Sequence, residues 1–162
     1  MLKENGLSCE VAAGHSLGEY SALVLAGALD FADAVRIVRK RGQFMQEAVP
    51  VGEGSMAAVL GLESDKIIDI CRTVEAECGE AVQAVNFNCP GQVVIAGSVG
   101  AVDKALAALK EAGAKRAVLL PVSAPFHSTL MQPASKRLAE VFETITFHDA
   151  KIPVVANVTA TE

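Results

Sequence analysis

The chain has no tryptophan and one tyrosine, and aromatic residues make up only 4% of its 162 positions. Bases have few rings to stack on, so a single-strand nucleic-acid platform is not expected. Positive charge is scarce as well: 14 Lys and Arg against 19 Asp and Glu leave a net charge of −5. The cations are dispersed, so no basic patch invites a phosphate backbone and no nucleic-acid partner is expected. The four cysteines, Cys9, Cys71, Cys78 and Cys89, contain no C-x-x-C pair. That argues against a zinc site and suits reduced thiols. No apolar run approaches the roughly 20 residues that span a bilayer, and the longest, Ala22–Leu29, is broken by Gly27. Met1-Leu2-Lys3-Glu4-Asn5-Gly6 lacks the apolar core of a secretory signal. These absences predict a cytoplasmic protein with no membrane contact. Apolar residues, by contrast, are abundant: at 51% hydrophobic the chain can bury the core of one domain or two small ones, with α/β as the expected class.

The most informative stretch is Gly14-His15-Ser16-Leu17-Gly18, a G-x-S-x-G sequence. In a nucleophile elbow, a serine sits on a sharp turn between a strand and a helix, and small flanking residues let the backbone bend. The helix that follows directs N–H groups and its positive end toward a developing oxyanion. The context fits: Val11-Ala12-Ala13 predicts a short strand and Glu19–Ala26 a helix that Gly27 closes. The competing interpretation is a structural turn whose serine caps a helix.

Downstream, Asp30-Phe31-Ala32-Asp33 predicts an N-cap with an acid at N3, opening a helix to about Ala48. Pro50, Gly52 and Gly54 mark a loop. Then follow a strand at 56–60, a helix at 65–76 with Ile67, Ile68, Cys71 and Val74 on one face, and a strand at 81–87. Asn88-Cys89-Pro90-Gly91 predicts a turn, 92–96 the return strand, 99–112 an alanine-rich helix and 116–120 a strand. This βαββαβ order is the ferredoxin-like arrangement. It makes 55–121 a subdomain inserted into a core formed by 1–54 and 122–162. After the loop Pro121–Ser128 come a helix around 134–145 and a strand at 152–156.

A serine hydroxyl needs a base before it attacks well. His15 adjoins Ser16, and adjacent side chains on a turn diverge, which leaves it at most a supporting place in the pocket. His148, in Thr146-Phe147-His148-Asp149, suits a surface position. His127 lies in Ser123-Ala124-Pro125-Phe126-His127-Ser128, directly after a predicted strand, where functional loops gather in α/β folds. A solvated loop histidine is the alternative. Arg41 falls on the stripe formed by Ala34, Ile37, Val38, Phe44, Met45 and Ala48. A guanidinium there either pairs with an Asp or Glu or awaits a substrate carboxylate.

Serine elbow, arginine and loop histidine, with a ferredoxin-like insert between them, form a specific combination. The chain resembles the malonyl-CoA:acyl carrier protein transacylase family of fatty-acid synthesis. The matching stretches are GHSLGEYSAL (14–23), RKRGQFMQ (39–46), NCPGQVVIAG (88–97), APFHS (124–128) and PVVANVTA (153–160). The resemblance implies an α/β-hydrolase-like core in which Ser16 attacks the thioester of malonyl-CoA to form an acyl-enzyme. It implies that His127 serves as base and then acid, that Arg41 holds the free carboxylate, and that the Leu17 N–H donates to the oxyanion. Family histidines are oriented by a backbone carbonyl, which suits a chain in which no aspartate stands out as a third triad member. Phe126 resembles the malonyl-selective form of its loop. Asn88 would border the cleft, although a plain hairpin explains it equally. The implied partners are malonyl-CoA and acyl carrier protein, with no cofactor and a monomeric enzyme. Acyl carrier proteins are acidic, so Arg36, Lys40, Lys115, Arg116, Lys136 and Arg137 become candidates for a docking patch or for ordinary solvated surface.

The family pattern also has a G-Q-G turn before the elbow and a glutamine-bearing segment after the last strand. Neither motif occurs here, so the chain resembles a central fragment. Two other expectations stay open. One is a serine esterase or thioesterase of the α/β-hydrolase type, which uses the same elbow; the other is a fragment inactive by itself.

Overall fold

Short apolar strands alternate with helices in the computed structural model, which describes residues 5–6, 8–122 and 124–161. Ser123 of the histidine loop, residues 1–4 of the segment compared with a signal, and Glu162 lie outside the described residues. The fold is mixed α/β and divides into two compact units, 1–42 with 138–162, and 43–137. The divisions fall outside the 54/55 and 121/122 boundaries expected from the sequence. Within the second unit, Glu47 and Arg137 pair at 2.6 Å, and the Arg137 guanidinium lies 3.9 Å from the centroid of the Phe44 ring.

The first unit begins with β1 (Ala12–Ala13) and α1 (Gly18–Ala26) and continues into α2 (Phe31–Glu47). Near its other end, α5 (Gln132–Phe142) precedes β6 (Val154–Val155). Strands β1 and β6 pair in parallel, Ala12 opposite Val154 and Ala13 opposite Val155. Helix α1 ends as predicted on Gly27, which takes the left-handed conformation at φ 77°. Beyond it the chain is tied back, with His148 N–H donating to Ala28 O at 3.0 Å and Lys151 N–H to Ala26 O at 2.8 Å. Ala22, Ala26, Ala28, Leu29, Ala34 and Ile37 are buried. Small side chains let these segments approach closely.

The second unit contains β2 (Gly54–Leu60), α3 (Ser64–Cys78), β3 (Val82–Cys89), β4 (Gln92–Ser98), α4 (Val99–Glu111) and β5 (Arg116–Leu119). Its sheet is antiparallel throughout, in the order β3-β4-β2-β5. Ile67, Cys71 and Val74 of α3, at helical spacing, and Ala101, Val102, Ala105, Leu106 and Leu109 of α4 close over Val59, Val93 and Ile95. The alternate residues Met56, Val94 and Ala96 form a smaller cluster with Val85, Leu120 and Phe126. Residues 93–97 of β4 are all buried, as expected of a central strand covered on both faces.

Two expectations need correction. Asn88 lies in β3 and not in the turn: Cys89 pairs with Gln92, so only Pro90 and Gly91 connect the strands. Phe87 faces Val93 while Cys89 faces Gln92, which makes Asn88 the extra residue of a bulge; a second register shift falls between Ala84 and Asn86. The helix expected at 134–145 starts earlier, at Gln132, after a 3-10 turn at Thr129–Met131.

Leu109 is fully buried, whereas Val99 of the same helix is exposed. Leu109→Ala is expected to lower unfolding free energy by about 2–5 kcal/mol. Val99→Ala should shift it by no more than about 0.5 kcal/mol. Denaturant titration of the two variants checks the contrast.

Candidate active site

Among the described residues, Ser16 is one of three non-glycine residues with positive φ, at 50°, and the other two are His127 at 65° and Ala160 at 55°. An unbranched L residue adopts this region at a cost on the order of 1–3 kcal/mol, and such strain collects at functional sites. Gly14 makes the turn possible, because a Cβ there would come within 2.0 Å of the Gly18 carbonyl carbon. The two glycines are not equivalent: a Cβ on Gly18 would meet nothing within 4 Å. Gly18 N–H bonds to His15 O at 2.9 Å and Glu19 N–H to Ser16 O at 3.3 Å. Among the described residues, Leu17 N–H makes no such backbone bond and stays available to an incoming oxygen. Leu17, not Ser16, occupies the N-cap of α1, and no side chain caps the helix there. The strand-turn-helix setting is thus observed, and the helix-capping alternative for Ser16 is not.

Arg41 donates from Nη2 to Ser16 Oγ at 2.8 Å, and its guanidinium lies 5.9 Å from the centroid of the Tyr20 ring. Among the described residues its partners are this hydroxyl and this ring, with no carboxylate within ion-pairing reach. The internal ion pair expected as one alternative is therefore absent among the described residues. A guanidinium can only donate, so Ser16 Oγ is the acceptor in this contact. Burial raises the Tyr20 pKa above its usual value of 10.0, opposed by the positive Arg41 and assisted by the negative Glu19. Ser16 N–H donates to Asn157 Oδ1, from the segment after β6. Sequence reasoning missed Tyr20 and Asn157 as site residues. The sole signal was that both fall within stretches matching the family, 14–23 and 153–160.

The other candidates lie in the second unit. His127 is exposed in the loop after β5 and lines a cleft of about 390 Å3 with Cys71, Glu75, Gln83 and Phe87. Burial, with Glu75 adding to it, pushes the Cys71 thiol up to about 12, so it is no competing nucleophile. Phe126 is half-buried against the Met56 cluster, and Asn88 is exposed on its bulge. Within the first unit, Ser16, Leu17, Arg41 and the exposed His15 belong to one turn and its facing helix. His148 is exposed, as expected. Two cations of the candidate docking set are already paired, Arg36 with Asp33 at 3.0 Å and Arg137 with Glu47 at 2.6 Å. No cluster of His, Cys, Asp or Glu among the described residues is suited to hold a metal ion.

The acyl transferase domain family model matches residues 1–162, the whole chain. The chain belongs to the acyl transferase domain family. This family member is 54% identical over 158 residues to the malonyl CoA-acyl carrier protein transacylase of Bacillus subtilis, covering 98% of this chain and 50% of that protein. It is 51% identical to the acyl carrier protein S-malonyltransferase structure from Vibrio cholerae, with TM-score 0.95 over 99% of this chain and 52% of that one. The same figures hold for a malonyl-transacylase solved in complex with its type II PKS acyl-carrier protein. The chain spans about half the length of the curated relatives it matches.

Two tests follow from the elbow geometry. Gly14→Ala is expected to abolish labelling of Ser16 by a serine-directed phosphonate, while Gly18→Ala keeps it within about twofold. Tyr20 is the only tyrosine and there is no tryptophan, so ultraviolet phenolate titration reads it alone. Arg41→Met removes a nearby positive charge and should raise the Tyr20 pKa further.

Proposed function

We propose that this acyltransferase moves a malonyl group from malonyl-CoA to the thiol of acyl carrier protein through a Ser16 acyl-enzyme. The observation that carries this proposal is the Arg41 guanidinium 2.8 Å from Ser16 Oγ, without a carboxylate partner of its own among the described residues. A malonyl thioester has its free carboxylate one methylene from the reacting carbonyl, so a cation beside the nucleophile suits it. The names of the relatives, which include a malonyl-transacylase solved with its acyl-carrier protein, support the same substrate and partner. By extension, the reaction belongs to fatty-acid synthesis in the cytoplasm.

In the first step Ser16 Oγ bonds to the thioester carbon while the His127 imidazole takes the hydroxyl proton. Leu17 N–H donates to the oxyanion as charge develops. The carbon–sulfur bond then breaks, and the proton passes from His127 to the departing CoA thiolate. In the second step the carrier thiol gives its proton to His127, its sulfur attacks the acyl carbon, and Ser16 Oγ leaves with that proton. The protons balance across both steps, and the chemistry needs no cofactor. Arg41 grips the malonyl carboxylate bidentately, Phe126 and His15 shape the pocket, and Asn88 borders it.

We further assign 55–121 as a ferredoxin-like subdomain. The β2-α3-β3-β4-α4-β5 order and the β3-β4-β2-β5 sheet support this assignment. The parallel β1–β6 pair with the elbow between β1 and α1 supports a hydrolase-like core.

Mass spectrometry after exposure of the full-length protein to malonyl-CoA should find malonate on Ser16, and a complete enzyme that forms no adduct overturns the proposal. Arg41→Ala should slow malonyl loading about 10- to 100-fold, the worth of charged hydrogen bonds to the carboxylate. It should slow acetyl loading less; equal losses would remove Arg41 from carboxylate binding.

A further inference from the structure

We infer that Gln83 is a positioning residue for His127, an inference that rests on the reading of His127 as the proton-transfer group. The loop holding His127 is pinned on both sides of its left-handed residue. On one side, Pro125 is fully buried and packs so closely on Gly54 that a Cβ there would fall 2.2 Å from the proline ring. On the other side, Thr129 is held by both ends of one carboxamide. Its N–H donates to Gln83 Oε1 at 2.9 Å, and its Oγ1 accepts from Gln83 Nε2 at 3.2 Å.

Gln83 is itself oriented. Its Nε2 also reaches Glu75 Oε1 of α3 at 3.3 Å, which settles which end of the amide faces Thr129 N–H. Its backbone is set by the sheet, where Gln83 pairs with Ala96 of the buried strand β4. Between the two anchors the loop bonds to itself: Phe126 N–H to Ala124 O at 3.0 Å and Ser128 Oγ to Pro125 O at 2.8 Å. Only three residues, 126–128, separate Pro125 from Thr129, so little slack remains to redirect His127, whose φ is 65°.

Such a clamp acts on the geometry of proton transfer and not on the affinity for substrate. Its loss should therefore appear in kcat and leave KM alone, since a misplaced catalytic group costs rate steeply. Gln83→Met keeps the length of the side chain and removes every polar contact. In the full-length protein it should slow malonyl loading of Ser16 about tenfold or more, with KM within about twofold. Gln83→Glu combined with Glu75→Gln exchanges donor and acceptor between the two positions, keeps an acceptor for Thr129 N–H and should recover a substantial part of that loss.

His127→Ala in the same assay separates the two layers of inference. If His127→Ala loads normally, the base assignment fails and the clamp fails with it. If His127→Ala is inactive while Gln83→Met loads at the parent rate, only the positioning role is overturned. A loss confined to KM, or a Gln83→Glu/Glu75→Gln double variant as slow as Gln83→Met, overturns it as well. Should Gln83→Met fail to fold, the exposed Thr129→Val removes one arm of the clamp. It is expected to slow loading about threefold at unchanged KM, and an unchanged rate overturns the inference.

Discussion

At Ser16 the backbone enters a region that few side chains tolerate, and the first unit supplies the contacts that keep it there. Gly14 yields the space in which the chain doubles back on Gly18. The start of α1 takes over immediately, and Asn157 accepts the Ser16 N–H. The β1–β6 pairing holds both ends of this arrangement in register, because Ala13 sits opposite Val155, two residues from Asn157. Preorganisation of this kind matters for catalysis: donors aimed before the reaction need no reorganisation during it.

The second unit meets a different requirement. Its sheet is covered by two helices on one face and by residues around Phe126 on the other. A loop laid across an apolar sheet face is fixed by burial at Pro125 and Phe126, while its polar tip remains exposed at His127. Rigidity and exposure thus come from adjacent residues. The bulges in β3 belong to the same economy of space: each twists an edge strand locally and turns a side chain such as Asn88 outward.

Much of this architecture was legible in the sequence, because periodicity reports burial directly. Ile67, Cys71 and Val74 announce the inner face of α3, and Gly27 announces the end of α1. The elbow was legible because only particular residue types can make it. What escaped detection depends on contacts between distant residues. Asn157 lies 141 positions from Ser16 in an irregular segment, and Gln83 reaches Thr129 across 46; neither carries a periodic signal. Register shifts escaped for a related reason. One extra residue in a strand leaves its composition unchanged, so Asn88 resembled a turn residue beside Pro90 and Gly91. The contact of Arg41 with Ser16 Oγ is likewise one that no pattern of residues contains.

The left-handed backbone at Ser16 also limits which side chains this corner of the fold accepts. A β-branched side chain at positive φ is a genuine outlier, so threonine's secondary alcohol is closed to this corner although its oxygen is equally reactive in other folds. A thiol on an unbranched carbon meets no such barrier. The elbow therefore disfavours threonine at this position, and it does so by backbone shape before any question of acid–base chemistry arises.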